Sequence, residues 1–336
     1  MTGFAPALLR LVDGERLSQD EMRAAFAELL AGEVEELRAA AFLTALRVRG
    51  ETPGEVAGAA EAMRAAALRI ASPEGTLDTC GTGGSGQDAL NVSTATAIVL
   101  AGLGVPVAKH GNRAVSSLTG SSDVLSALGV NLDIPPERAE TILAETGLVF
   151  LFAPNHHPGM KHVAPVRKGL GFRTLFNLLG PLSNPAGAKR QVLGVYDKAL
   201  LRPVAEALRA TGSERAFVVH GSDGLDELTV TGESFVCALE GGGITEFAVT
   251  PEEAGLQRRE AGSLRGGGPE ENAAAMLRLL RGEPGAFRDA VLLNAAAGLI
   301  VSGRASSLKE GAAQAAGGLD DGRALAALER LKGATA

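Results

Sequence analysis

The chain has 336 residues, 46% hydrophobic and 21% charged, with a formal net charge of −7. That acidic balance argues against broad nucleic-acid or anionic-membrane binding and leaves only local basic patches for a polyanionic ligand. Its 44 glycines disfavour a plain helical bundle, the two distant cysteines (Cys80 and Cys237) disfavour a disulfide framework, and no apolar run approaches the ~18 residues of a membrane span.

Residues 1–72 read as a small all-helical domain. Ser18 and Glu21 form a capping box, and Met22, Phe26, Leu29 and Leu30 recur at helical spacing until Gly32. An alanine-rich run, Glu33–Val48, ends at Gly50, and Thr52-Pro53-Gly54-Glu55 opens the next helix with a cap, a first-turn proline and a box glutamate. The opening MTGFAPALLRLVDGERL lacks the layout of a secretory signal, so a cytoplasmic location is expected.

From residue 73 to 336 strands and helices alternate. Strands are predicted at Val105–Ala108, Val149–Ala153, Gln191–Tyr196 and Ala216–His220. Helices are predicted at Thr94–Leu103, Ser122–Leu128, Pro136–Thr146 and Leu200–Ala210. This pattern predicts a large α/β domain with a mainly parallel central sheet covered by helices. A proline-bounded helical segment near 163–185 is expected to join the helical domain. Gly221–Gly268 reads as an antiparallel excursion, and helices from about Glu270 close the chain.

The stretch DTCGTGGSGQDALNVSTAT (Asp78–Thr96) is the densest glycine loop. Gly81, Gly83 and Gly86 match a dinucleotide fingerprint, but Gly75–Thr79 reads as a poor strand and no acid follows at the ribose-binding distance. Gln87 stands where a phosphate-binding P-loop needs lysine. What remains is a loop whose glycines admit backbone N–H groups to an anion and which feeds a helix capped by Asn91. A sharp turn before an ordinary helix is the plainer alternative. Lys109-His110-Gly111-Asn112-Arg113 then leaves a predicted strand, with Ser116, Ser117, Ser121 and Ser122 behind it. Cations, an amide and hydroxyls at a strand's C-terminal end suit a phosphate ester.

CGTGGSG (80–86), NVST (91–94), KHGNRAVSS (109–117), GSSDVL (120–125), HHPGMK (156–161), VRKGLGFRTLFNLLGPLSNP (166–185) and HGSDGLDEL (220–228) occur in that order. With these blocks the sequence resembles the anthranilate phosphoribosyltransferases, whose fold is nucleoside-phosphorylase-like. The KHGNR block opposes the related pyrimidine nucleoside phosphorylases. The resemblance implies transfer of the phosphoribosyl group of 5-phosphoribosyl 1-pyrophosphate to the amine of anthranilate, with Mg²⁺ and release of pyrophosphate. It implies a donor site of Gly81, Gly84, Ser85, Asn91, Val92, Ser93, Thr94, Lys109, His110, Gly111, Asn112, Arg113, Ala114, Val115, Ser116, Ser117 and Ser121. Anthranilate would meet Gly81, Asn112 and Arg167, and Mg²⁺ would meet Ser93, Asp226 and Glu227. It also implies a homodimer through the helical domain, with no nucleic-acid or membrane partner. His156, His157 and His162 lack an HExxH spacing for zinc and are expected to line the acceptor's route, while His110 is expected to pack on the ring or orient the loop, with proton shuttling as the alternative. Ser85 departs from the aspartate that many members of that family carry after GTGG.

Overall fold

The computed structural model describes residues 3–84, 86–113 and 118–336. Four helices come first: α1 (Phe4–Val12), α2 (Gln19–Ala31), α3 (Glu36–Arg49) and α4 (Pro53–Ala66). Both expected capping boxes form, Ser18 with Glu21 and Thr52 with Glu55, and Gly32 closes α2 at φ 78°. Alternation then begins with β1 (Leu77–Gly81), α5 (Val92–Gly102), β2 (Val107–Gly111), α6 (Ser121–Ala127), α7 (Pro136–Thr146) and β3 (Leu148–Phe152). It continues with α8 (Ala153–His156), α9 (Met160–Leu170), α10 (Phe176–Leu182), β4 (Arg190–Gly194), α11 (Leu201–Ala210) and β5 (Arg215–Gly221). A hairpin, β6 (Ser234–Glu240) and β7 (Gly243–Val249), precedes α12 (Pro269–Leu280), α13 (Ala286–Val301), α14 (Leu308–Asp320) and α15 (Arg323–Thr335).

The seven strands form one sheet in the order β3-β2-β1-β4-β5-β6-β7. The first five in that order run parallel, and β6 and β7 are antiparallel, the excursion the glycine-rich segment predicted. Strand alternation sends Val192, Val219 and Val236 into a core under α5 and α12–α15, while Leu193, Val218 and Cys237 face a second core. That second core runs without a break through α9–α11 into the helices of the N-terminal segment. Arg64 of α4 ties the same junction, donating to the carbonyls of Leu182 (2.7 Å) and Thr211 (3.0 Å). No described helix is long and apolar enough to cross a membrane.

One expectation fails here. A strand, β1, does lead directly into the glycine loop, and it lies between β2 and β4 at the middle of the sheet. Its polar residues disguise it, but two of their groups find partners inside the fold. Asp78 Oδ1 accepts from the His110 backbone N–H at 3.1 Å, and the Thr79 hydroxyl donates to the Ser93 carbonyl at 3.0 Å. Tertiary hydrogen bonds therefore override a weak local strand propensity. The dinucleotide reading still lacks its downstream acid.

Candidate active site

The chain builds β1, β2 and β3 outward in one direction, then returns to place β4 on the other side of β1. Loops leaving β1 and β4 therefore diverge, and such a switch point opens a crevice at the strands' C-terminal ends. Gly81 and Gly194 are register partners at that edge. Asp226 packs onto both. A Cβ on Gly81 would lie 2.4 Å from Asp226 Oδ2, and one on Gly194 would lie 1.6 Å from the Asp226 carbonyl oxygen. Only glycine at these two places lets the acidic loop approach.

Asp226 Oδ2 accepts from the Gly83 backbone N–H at 2.8 Å. Gly83 and Gly84 take φ of 63° and 77°, which glycine adopts without strain. Glu227 Oε1 accepts from the Ser93 backbone N–H, in the first turn of α5, at 3.0 Å. The adjacent carboxylates thus reach opposite walls of the crevice, one holding the glycine loop and the other the helix start. Asn91 does not cap α5 with its side chain as expected. Its amide donates to the Thr119 carbonyl at 3.3 Å and its Oδ1 accepts from Asn272 at 3.0 Å, so it braces neighbouring loops.

Lys109, only 3% exposed, donates its ammonium to the Thr79 carbonyl and, at 3.2 Å, to Ser93 Oγ. Ser93 is therefore the meeting point of a buried cation and a carboxylate. Burial pushes both carboxyls upward. Glu227 rises to about 8, with the neighbouring Asp226 charge adding to the effect and Lys109 opposing it. A buried carboxyl pair whose charges are penalised by burial gains from a nearby cation. With Ser93 Oγ it supplies only oxygen atoms, the donor type a hard divalent ion takes.

Asn112 and Ser121 lie just beyond the C-terminal end of β2. Asn112 is exposed beyond β2, and its Oδ1 accepts from the Arg113 backbone N–H at 2.8 Å. Ser121 opens α6 and donates to the Asn112 carbonyl at 3.4 Å; a Cβ on Gly111 would lie 2.4 Å from its hydroxyl. Val92 and Thr94 are 2% and 1% exposed, so they offer the crevice backbone rather than side chains. Ser85, Ala114, Val115, Ser116 and Ser117 lie outside the described residues. Arg167, on α9, is half-buried with its guanidinium 5.5 Å from the Phe176 ring centroid, and it has no carboxylate partner among the described residues.

The histidines do not converge on one point. His156 Nδ1 meets the Leu68 carbonyl at 2.8 Å, and His162 is exposed. His110 Nδ1 lies 2.9 Å from the Gly180 carbonyl, which can only accept, so its proton belongs on Nδ1. Its Nε2 faces His157 Nε2 at 3.2 Å. Burial, reinforced by mutual repulsion, lowers His110 to about 3; burial with the neighbouring His156 lowers His157 to about 4. Both rings are neutral at ordinary pH.

The sequence reading missed two residues. Arg173, between α9 and α10, donates to the Gly84 carbonyl, and its guanidinium stacks 4.3 Å from the Tyr196 ring centroid. Nothing periodic marks either one. The available hints were Arg173's place inside the FRTLFN block and Tyr196's status as the chain's single tyrosine.

A glycosyl transferase family model for the α/β domain matches residues 74–325, and its companion helical-bundle domain matches residues 5–67. An anthranilate phosphoribosyltransferase of Parvibaculum lavamentivorans is 55% identical over 335 residues, spanning 100% of this chain and 98% of that one. The chain belongs to the anthranilate phosphoribosyltransferases. Another member, from Phenylobacterium zucineum, is 54% identical over 99% of this chain and 98% of its own length. The crystal structure of the Thermus thermophilus anthranilate phosphoribosyltransferase superposes with a TM-score of 0.93 at 49% identity, covering 98% and 99% of the two chains. The Saccharomyces cerevisiae enzyme, solved with 5-phosphoribosyl 1-pyrophosphate and Mg, gives 0.90 at 30% identity, covering 99% and 97%. As an anthranilate phosphoribosyltransferase the chain is a pentosyl-transferring enzyme of the glycosyltransferase class, with a helical domain and a larger α/β domain.

Proposed function

We propose that the β1/β4 crevice transfers the phosphoribosyl group of 5-phosphoribosyl 1-pyrophosphate to the amine of anthranilate, giving N-(5-phosphoribosyl)anthranilate and pyrophosphate. The observation that carries this reading is the convergence of the glycine loop, the α5 N-terminus, Lys109 and the Asp226–Glu227 pair on one crevice. The donor site we assign comprises Gly81, Gly84, Ser85, Asn91–Thr94, Lys109–Ser117 and Ser121. Anthranilate lies against Gly81, Asn112 and Arg167, whose planar guanidinium pairs with the carboxylate.

Ser93, Asp226 and Glu227 are the residues that would hold Mg²⁺, which when bound neutralises pyrophosphate charge as it leaves. The bond from the anomeric carbon to pyrophosphate breaks as the amine nitrogen bonds to that carbon, and the amine proton then leaves to solvent. An arylamine lone pair needs no strong base, and the buried His110 ring, held by the Gly180 carbonyl, supports a positioning role for that residue. The domain limits we assign are 1–72 for the helical domain and 73–336 for the α/β domain, with 163–185 joining the former. Leu9 and Val12 on α1, and Leu37 and Val48 on α3, are 67–82% exposed and support a homodimer through the helical domain. Two free, buried cysteines support a cytoplasmic setting.

Replacing Arg167 by alanine tests the acceptor assignment. We expect KM for anthranilate to rise by about tenfold or more, as for loss of a charge-assisted hydrogen bond, with the donor KM little changed. An unchanged anthranilate KM refutes that assignment.

A further inference from the structure

The glycine turn is held from outside the crevice as well as from within. Thr82 donates its backbone N–H to the Gly194 carbonyl at 2.9 Å and accepts, through Oγ1, from the Tyr196 backbone N–H at 3.1 Å. Arg173 fills the space between that Tyr196 frame and Gly84. A Cβ on Gly84 would lie 3.2–3.3 Å from Nη2, Cζ and Nε of Arg173, so the guanidinium plane lies flush against the glycine backbone. Its other contact is the Tyr196 ring at 4.3 Å, and it donates to the Gly84 carbonyl. Gly83 is anchored separately, by Asp226.

We propose that Arg173, stacked on Tyr196, is a positioning residue for the phosphoribosyl donor, holding the Gly83–Gly84 turn ready to receive pyrophosphate. It touches the loop and not the reacting atoms. The inference rests on the reading of this turn as the pyrophosphate cradle. The physical reason is conformational entropy. A turn with glycines at 81, 83, 84 and 86 has wide backbone freedom, and fixing it costs conformational entropy. A side chain that fixes the turn beforehand spares donor binding that cost. Lysine is a poor substitute, because a compact ammonium cannot lie flat between a peptide and a ring. Arg173 also follows directly from the α9 helix that carries Arg167, so one short segment serves both substrate sides.

The chain has one tyrosine and no tryptophan, so tyrosine emission reports this stack alone. Titrating 5-phosphoribosyl 1-pyrophosphate with Mg²⁺ should change that emission saturably in the parent. Steady-state assays then compare Arg173→Ala, Arg173→Lys, Tyr196→Phe and Tyr196→Leu. Arg173→Ala and Tyr196→Leu should raise the donor KM about tenfold, the loss of a charge-assisted hydrogen bond with its stacking partner, and leave the anthranilate KM within about twofold. Arg173→Lys should fall between, and Tyr196→Phe, which keeps the ring, should match the parent. Arg173 is exposed, so Arg173→Ala should melt with the parent. An unchanged donor KM in Arg173→Ala overturns the proposal, as does an equal rise in both KM values or a Tyr196→Phe defect as large as that of Tyr196→Leu. A parent that turns over nothing overturns instead the cradle reading beneath it.

Discussion

Gly81→Ala tests whether the acidic loop and the glycine loop work as one unit. The backbone at Gly81 tolerates a side chain, since its φ is not positive. The new methyl, however, would start 2.4 Å from Asp226 Oδ2, whereas real Cβ contacts essentially never fall under 3.0 Å. The carboxylate must withdraw, and the 2.8 Å bond it accepts from Gly83 N–H stretches with it. A hydrogen bond to a charged acceptor contributes about 1.5–3 kcal/mol, which corresponds to a loss of about 10–100-fold in donor affinity. The half-saturating Mg²⁺ concentration should rise in parallel, because the displaced group is one of the three oxygen donors proposed for the ion. The assay follows loss of anthranilate fluorescence while donor and Mg²⁺ are titrated, with a melting curve to verify folding. A folded Gly81→Ala variant with parental donor KM and Mg²⁺ dependence would refute the reasoning.

Glu55→Ala should be a stability variant. Glu55 is wholly buried and accepts from Leu17 N–H (2.8 Å), Thr52 N–H (2.8 Å) and Arg49 (2.5 Å). Its removal strands these donors, and denaturant melts should show a loss of about 3 kcal/mol; a loss below ~1 kcal/mol contradicts the account. The His110–His157 pair predicts an acid-sensitive fold. Its rings titrate far below the ordinary value of 6.5, so the unfolded chain takes up protons first as pH falls from 6.5 toward 4. Stability is therefore full above pH 6.5 and declines below it, by about 1.4 kcal/mol per pH unit for each histidine. Urea melts at pH 7, 6 and 5 should give a shallower slope for His157→Gln, and identical slopes would count against the pair. Leu37→Glu should turn a dimer into a monomer in light scattering at unchanged melting temperature, and a dimer that persists removes the α3 face from the interface.

Local chemistry was the most legible part of the sequence. The boxes at Ser18–Glu21 and Thr52–Glu55 form as read because each closes between residues only three apart. The alternation of apolar runs gave the parallel sheet for a similar reason, since strands buried on both faces need continuous apolar side chains. β1 escaped because Asp78 and Thr79 find their partners at His110 and Ser93, well along the chain. The expected Asn91 cap gave way to partners at Thr119 and Asn272, which only the folded chain brings near. The candidate site was legible as motifs, and their resemblance to a family supplied the roles. Pattern alone did not reveal how Asp226 and Glu227 grip opposite walls, or that Arg173 and Tyr196 brace the turn. Those contacts join segments about 90 to 140 residues apart, and they depend on glycines whose value lies in the close approach they permit.

The central claim is that the β1/β4 crevice joins anthranilate to a phosphoribosyl group. The most direct measurement mixes the purified chain with anthranilate, 5-phosphoribosyl 1-pyrophosphate and Mg²⁺, following both anthranilate fluorescence and released pyrophosphate. The account predicts that the two signals change one for one, and that either stops when the donor or Mg²⁺ is withheld. Folded protein that consumes no anthranilate, or that releases pyrophosphate without it at the same rate, would contradict the account.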